Sequence, residues 1–161
     1  DLDAMTLGKF HAIDVPVWGE IAVTVSLFKE RLAKGGSAID QRAEVAERWA
    51  IWRAEKTKRE TEDRGEGLSS ASVFAALTRN VPADAIITVD VGNNTYSFGR
   101  YFECEQQSVL MSGYLGSIGF GLPAAMGAWA ATQTDDPRVK GRPVVSLSGD
   151  GGARRLRKAM A

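Results

Sequence analysis

The segment that best indicates the architecture of this chain is Pro143-Val144-Val145-Ser146-Leu147-Ser148-Gly149-Asp150-Gly151-Gly152. Its apolar part predicts a buried strand over 144–147, and the glycines after it predict a turn at the carboxyl end of that strand. Such a turn brings backbone N–H groups and the Asp150 carboxylate to one point, and residues without a Cβ let a phosphate approach the main chain closely. Carboxylate oxygen is a preferred ligand of Mg²⁺. A helix after the turn would add the positive end of its dipole. The segment therefore predicts a site for a magnesium-bound diphosphate.

The composition is that of an ordinary globular chain. It has 161 residues, of which 44% are hydrophobic and 25% are charged, and this is enough material for one core. Twenty basic residues balance twenty acidic ones, so the net charge gives no support for nucleic acid binding. The single cysteine, Cys104, excludes an internal disulfide and favours a reducing cytoplasm. The opening residues do not resemble a signal peptide, and the missing initiator methionine leads us to expect that the chain starts inside a longer protein.

One long stretch lacks charge and could be mistaken for a membrane span. Residues 106–134 contain no Asp, Glu, Lys or Arg, and the stretch is long enough to cross a bilayer. It also contains five glycines and Pro123, and its apolar content is modest. We therefore expect a closely packed buried helix here and no membrane span.

The pattern along the rest of the chain predicts an α/β fold. The predicted helices are 20–32, 40–64 and 69–79, followed by a glycine-rich helix before residue 134, and the predicted strands are a tail at 1–3 and then 85–91, 109–112 and 144–147. The strand at 85–91 is apolar almost throughout, as in a parallel sheet that helices cover on both faces. Lys34-Gly35-Gly36-Ser37 predicts a break between two parts of the chain.

Three predicted loops follow the carboxyl ends of the main strands, at 92–94, 113–118 and 149–152. In an open parallel sheet these ends share one edge, where ligands bind. Each loop alone is a weak signal, because Gly-Asp-Gly occurs in plain turns and Asn93-Asn94 is typical of a turn with left-handed backbone. The three loops together, in this order, are a far more specific signal of a ligand site than any one of them alone.

These motifs resemble a known family. The segments 90–94 (Asp-Val-Gly-Asn-Asn), 112–125 (Ser-Gly-Tyr-Leu-Gly-Ser-Ile-Gly-Phe-Gly-Leu-Pro-Ala-Ala) and 149–152 (Gly-Asp-Gly-Gly) are similar to the cofactor-binding domain of thiamine diphosphate-dependent enzymes. The resemblance is to the branch of pyruvate oxidase and acetolactate synthase. Residues 1–33 are similar to the end of that branch's Rossmann-like middle domain, which holds FAD in some members.

The resemblance implies a role for each matching position. Asp150 would ligate Mg²⁺, and Asn93 and Asn94 lie where the family reaches the diphosphate from the other side. The backbone of Gly116 and Ile118 would face the aminopyrimidine ring of the cofactor, and the side chain of Ile118 would hold the cofactor in a bent shape. The full set of implied cofactor-binding residues is Asn93, Asn94, Gly116, Ser117, Ile118, Gly149, Gly151 and Gly152. The cofactor would then serve as an electron sink when a 2-oxo acid such as pyruvate loses carbon dioxide.

The implied organisation is that of a fragment. We expect the end of the middle domain at 1–33, a helical linker at 34–67, and a truncated half of the cofactor domain, a partial doubly wound sheet, at 68–161. The family's second magnesium-shell residue, an asparagine about thirty residues after Gly-Asp-Gly, has no counterpart here, and neither has the domain that supplies the activating glutamate. Residues 153–161 also depart from the family's pattern. The longer protein would be a dimer or tetramer that could also hold FAD, and the fragment alone would be inactive.

A second hypothesis is an α/β module that binds a nucleotide or phosphate without catalysis. Against it, the chain has no Gly-x-x-x-x-Gly-Lys-[Ser/Thr] loop, and the glycines of 116–121 lack the spacing of a dinucleotide-binding turn. The four basic residues at 154–158 have no aromatic residues between them, so they do not predict nucleic acid binding.

Overall fold

The computed structural model describes residues 1–36, 39–63 and 65–159, with side chains up to residue 155 in the last helix. The chain forms two compact units, Asp1–Ala46 and Glu47–Ala161. Residue 64, where the long charged helix was predicted to end, lies outside the described residues. The same is true of residues 160 and 161 at the end of the predicted cofactor domain.

The first unit is built around helix α1, Ile21–Ala33, as the sequence predicted. The Glu20 carboxylate caps this helix by accepting a hydrogen bond from Val23 N at 2.8 Å, and the N–H groups of the first turn hold the pKa of Glu20 below its ordinary value. The predicted strand at residues 1–3 is not formed. Asp1 exchanges two backbone hydrogen bonds with Val17 and Gly19, but the chain then enters a 3-10 turn that Asp3 caps.

Helix α2, Arg42–Glu60, confirms the predicted charged helix and runs from the first unit into the second. In the second unit its Lys56 is buried, and its ammonium lies 2.9 Å from Glu103 Oε1. This ion pair is the main reason that the pKa of Glu103 lies below its ordinary value. The last carbonyl groups of α2, at Arg59 and Glu60, accept hydrogen bonds from Ser69 and Ser72 at the start of the next helix.

A three-stranded parallel sheet forms the centre of the second unit and confirms the predicted α/β class. Its strands are β1 (Ile86–Val89), β2 (Ser108–Met111) and β3 (Val144–Leu147), in the order β2-β1-β3. Ile87 lies opposite Val109 on one side and Val145 on the other. The connecting helices are α3 (Ser70–Asn80), α4 (Asn93–Tyr101) and α5 (Gly121–Thr132), and α6 (Asp150–Ala159) follows β3.

Helices cover both faces of the central strand, so that all four residues of β1 are buried. On one face, Ile87 and Val89 pack in a core with the aromatic residues of α3 and α4, where the Phe98 ring stacks on Phe102 with 4.7 Å between centroids. On the other face, Thr88 donates a hydrogen bond to the carbonyl of Gly121, the first residue of α5. Buried apolar surface on both sides is the pattern expected of a parallel strand.

Two predicted turns are in fact the first turns of helices. Asn93 and Asn94 open α4, and Asp150, Gly151 and Gly152 open α6. The uncharged stretch at 106–134 contains β2, a bend and the 12-residue helix α5. No helix in the described part of the chain combines the length and apolar character that crossing a bilayer requires.

Candidate cofactor site at the carboxyl edge of the sheet

Three segments meet where the strands end. The first, residues 90–94, follows β1, and the second, residues 112–120, follows β2 and is called the glycine-rich bend below. The third, residues 148–152, follows β3. Because the strands are parallel, helices α4, α5 and α6 all begin at this edge, each with unpaired N–H groups and the positive end of its dipole. The edge is therefore suited to bind an anion.

Hydrogen bonds join the first segment to the last residue of β3, which directly precedes the third segment. The backbone N–H of Asp90 donates to the carbonyl of Leu147 at 2.8 Å, and Asn94 Nδ2 donates to the same oxygen at 3.2 Å. Asn94 is thus held between two strands, whereas Asn93 is exposed at the start of α4. The two predicted asparagines lie at the expected edge, but only Asn94 contacts the neighbouring strand through its side chain.

The glycine-rich bend folds back over the end of β1. Gly116 and Gly119 have φ values of +62° and +97°, which favour glycine at both positions. Ser117 N donates to Ser112 Oγ at 3.1 Å and closes the bend, and the side chain of Ile118 remains 45% exposed. The bend is fixed to β1 because Gly119 N donates to Asp90 Oδ1 at 2.8 Å.

The third segment packs closely against both of the others. A Cβ added to Gly152 would overlap Asp90 Oδ2 and lie 3.0 Å from Asp90 Cγ and 3.6 Å from Gly119 Cα. A Cβ added to Gly121 would lie 2.6 Å from Ser148 Oγ. Because Gly121 and Gly152 have no side chain, the starts of α5 and α6 can pack directly against the end of β1.

The remaining predicted residues lie at the same edge and face outward. Gly149 and Gly151 have no atom within 4 Å of the position where a Cβ would stand. Asp150 is the first residue of α6, and its side chain is 86% exposed. Arg154, one turn later, places a guanidinium nitrogen 3.8 Å from Asp150 Oδ2, so a cation bound by Asp150 would compete with this arginine.

Sequence analysis assigned no role to Asp90, which is the residue that contacts all three segments. It is 1% exposed at the end of β1, and its Oδ1 accepts from Val91 N and Gly119 N. The available signal was an acidic residue inside a stretch otherwise predicted to be a buried apolar strand. A carboxylate is costly to bury unless it is hydrogen-bonded, so its presence there indicates a specific set of partners.

The groups at this edge are of the kinds that bind a magnesium diphosphate. Exposed carboxylate oxygen at Asp150 is a ligand of the right hardness for Mg²⁺, and three helix starts and glycine backbone suit the diphosphate. No cluster of three or more His, Cys, Asp or Glu side chains that could hold a metal occurs among the described residues. These groups suit a magnesium diphosphate, for which Asp150 would be the one protein ligand of the metal at this edge.

The segments at this edge are similar to those of known proteins. Residues 90–156 match the family model of the thiamine pyrophosphate enzyme, C-terminal TPP binding domain. The chain is 28% identical over 155 residues to acetolactate synthase isozyme 3 large subunit of Escherichia coli, covering 94% of this chain and 25% of that protein. It is also 28% identical to pyruvate oxidase of Lactiplantibacillus plantarum, covering 95% of this chain and 24% of that protein. A probable acetolactate synthase large subunit of Methanococcus aeolicus is 42% identical over 74 residues, which are 45% of this chain and 11% of that protein.

The chain spans about a quarter of the length of the curated relatives that it matches over most of its own length. The matched segment begins at Asp90 and continues past Gly152, so it includes every residue predicted for the site. Over residues 90–156, this chain is similar to the C-terminal thiamine diphosphate-binding domain of thiamine diphosphate-dependent enzymes.

Proposed function

We propose that this chain supplies the magnesium and diphosphate side of a thiamine diphosphate site in an enzyme that acts on a 2-oxo acid such as pyruvate. The observation that carries the proposal is the meeting of the three post-strand segments at one edge, where three helices begin. The names of the relatives, acetolactate synthase and pyruvate oxidase, support a reaction in which decarboxylation is coupled to carboligation or oxidation. They do not favour the second hypothesis, a binding module without catalysis.

In this proposal the starts of α4 and α6 would hold the diphosphate. Gly149 and Gly151 would offer backbone N–H groups with no Cβ in the way, Gly152 would offer its backbone N–H, and the amides of Asn93 and Asn94 would approach from the β1 side. The positive ends of the helix dipoles and the unpaired N–H groups of the first turns favour the phosphate charge. The Asp150 carboxylate would hold Mg²⁺ in place of the Arg154 guanidinium.

The glycine-rich bend forms the other half of the surface. Gly116 and Ile118 would present backbone to the aminopyrimidine ring, and the exposed side chain of Ile118 would support the bent shape of the cofactor. Bound thiamine diphosphate supplies an electron sink for cleavage of a bond next to a carbonyl group. The residues of this chain bind and orient the cofactor, and we assign none of them a catalytic role. FAD binding and assembly into a homo-oligomer belong to the proposal for the longer protein.

Calorimetric titration of the purified chain tests this function. We expect thiamine diphosphate to bind only when Mg²⁺ is present, and we expect Asp150→Ala to abolish this magnesium-dependent binding. Asp135→Ala is the matched control, because Asp135 is equally exposed and also paired with a basic residue, Lys140, but precedes β3 instead of following it. Binding of ATP or NAD in place of thiamine diphosphate would instead support the nucleotide-binding module. Unchanged affinity in Asp150→Ala would overturn the metal assignment.

A further inference from the structure

We propose that Asp90 is a positioning residue, whose buried carboxylate fixes the glycine-rich bend and the start of α6 in the arrangement that a diphosphate requires, without contacting the cofactor. This inference rests on the function proposed above and adds to it a residue for which no role has been assigned.

The burial of Asp90 needs an explanation beyond packing. The residue is 1% exposed at the end of a strand whose four residues are all buried. A buried carboxylate must be compensated by hydrogen bonds, because transfer of a charge out of water is costly. An apolar residue at this position would avoid that cost. The carboxylate therefore indicates that its hydrogen bonds are needed.

One carboxylate oxygen fixes the bend. Asp90 Oδ1 accepts from Val91 N at 2.7 Å and from Gly119 N at 2.8 Å, and Gly119 is 29 residues further along the chain. Gly119 has a φ of +97° and immediately precedes the turn into α5, so the hydrogen bond holds the bend at a point where the backbone conformation is unusual. Loss of this bond would leave the bend attached to β1 mainly through the chain itself and through packing around Gly121.

The other oxygen lies against the start of α6. Asp90 Oδ2 is fully buried and has no hydrogen-bond partner among the described residues. It occupies the place where a Cβ of Gly152 would stand, in the first turn of α6, whose N–H groups carry partial positive charge. A carboxylate oxygen behind this turn attracts those groups and keeps α6 close to β1. An unpaired buried oxygen is rare in native structures.

The main chain of Asp90 completes the connection. Its N–H donates to the carbonyl of Leu147 at 2.8 Å, and its carbonyl accepts a hydrogen bond from Thr95 Oγ1 in α4. The same residue thus contacts β3, α4, the bend and α6. Replacement of a residue that orients the ligands of a metal site, without itself binding the metal, typically lowers metal affinity by about 10–100-fold.

The test uses the full chain, with magnesium pyrophosphate as a probe of the diphosphate surface alone and magnesium thiamine diphosphate as the complete ligand. Asp90→Ala removes both oxygens, and Asp90→Asn keeps the shape and one acceptor for Gly119 N. We expect Asp90→Ala to weaken binding of both probes by about 10–100-fold. Asp90→Asn should show a smaller loss, which serves as partial rescue.

Thr132→Val is the control for a purely structural effect. Thr132 is also buried and hydrogen-bonded, through Oγ1 to the carbonyl of Trp129, but it ends α5, about 17 Å along the helix from Gly121. This variant should lower stability and leave both affinities unchanged. Hydrogen exchange gives a measurement on the unaltered chain: the Gly119 amide should be protected before any ligand is added.

The possible outcomes are distinct. If the unaltered chain binds neither probe, the proposed function fails and this inference fails with it. If the chain binds both probes and Asp90→Ala binds them equally well, the inference is wrong and the proposed function stands. Equal losses in Asp90→Ala and Thr132→Val would show a general effect of stability and would also overturn the inference. Should both Asp90 variants fail to fold, rapid exchange of the Gly119 amide in the unaltered chain would count against the inference and slow exchange would support it.

Discussion

Replacing Gly152 by alanine places a methyl group where the structure has no room for one. The new Cβ would overlap Asp90 Oδ2 and lie 3.0 Å from Asp90 Cγ, whereas carbon atoms in favourable contact are about 3.5–4.0 Å apart. The clash can be relieved in two ways. Either the Asp90 carboxylate rotates and loses its hydrogen bond from Gly119 N, or the first turn of α6 moves away from β1. Both changes disturb the edge on which the site is built.

The expected cost follows from these contacts. Overpacking of this kind costs about 1–3 kcal/mol, and a hydrogen bond lost from a buried carboxylate adds about 1.5–3 kcal/mol. Alanine regains up to about 1 kcal/mol over glycine in a helix. We therefore expect Gly152→Ala to lower the free energy of unfolding by about 2–5 kcal/mol. The neighbouring Gly151→Ala is the matched control, because no atom lies within 4 Å of its added Cβ, and it should be neutral or stabilising by up to about 1 kcal/mol.

Urea denaturation of the three proteins, followed by fluorescence and circular dichroism, measures both values. Hydrogen exchange at the Gly119 amide reports whether the carboxylate has rotated, because this amide loses its partner only in that case. The reasoning is refuted if the two alanine variants change the stability by the same amount and in the same direction, since only one of the two glycines is closely packed.

Two further predictions concern charged groups. Glu103→Gln leaves the buried Lys56 without its carboxylate and should lower the free energy of unfolding by about 1–2 kcal/mol at neutral pH. Because the pKa of Glu103 is lowered in the folded chain, the loss of stability in the variant should persist at pH values above the ordinary pKa of 4.5 and disappear as the pH falls through the lowered pKa. Urea denaturation at several pH values measures this loss, and a loss that does not depend on pH would contradict the prediction. Arg154→Ala removes a cation that lies 3.8 Å from Asp150 Oδ2. This change should lower the Mg²⁺ concentration needed for half-maximal binding of thiamine diphosphate by up to about fivefold, and no more, because an exposed ion pair is weak. If a magnesium titration shows an unchanged or higher Mg²⁺ requirement, Arg154 does not compete with the metal.

Much of the sheet was predictable because its signals are local. Val144 to Leu147 form a strand with the bounds that the apolar run predicted, and Ser69, the first residue of the helix predicted at 69–79, caps α3 through its side chain. The alternation of apolar strands with helices predicted a parallel sheet. A parallel sheet in turn places the three loops at one shared edge. These features depend on periodicity and on capping residues, which a single sequence displays.

The contacts within the edge were not predictable in the same way. Asn93-Asn94 favours a turn by composition, yet the segment enters α4 directly, since helix packing on the sheet overrides local preference. The hydrogen bond from Gly119 to Asp90 spans 29 residues, and no periodic pattern connects the two positions. Whether the implied cofactor-binding residues hold thiamine diphosphate stays a prediction that the titrations above address.

The position of β1 between β2 and β3 has a consequence for biosynthesis. This strand leaves the ribosome before either neighbour, and Val144, the partner of Ile86 on the β3 side, lies 58 residues further along the chain. At translation rates of about 5–20 residues per second, an apolar strand with at least one open edge persists for about 3–12 seconds. Nascent chains of this topology are consequently exposed to mispairing throughout that interval, and transient protection by a chaperone would be of greatest use while residues 90–143 are being made.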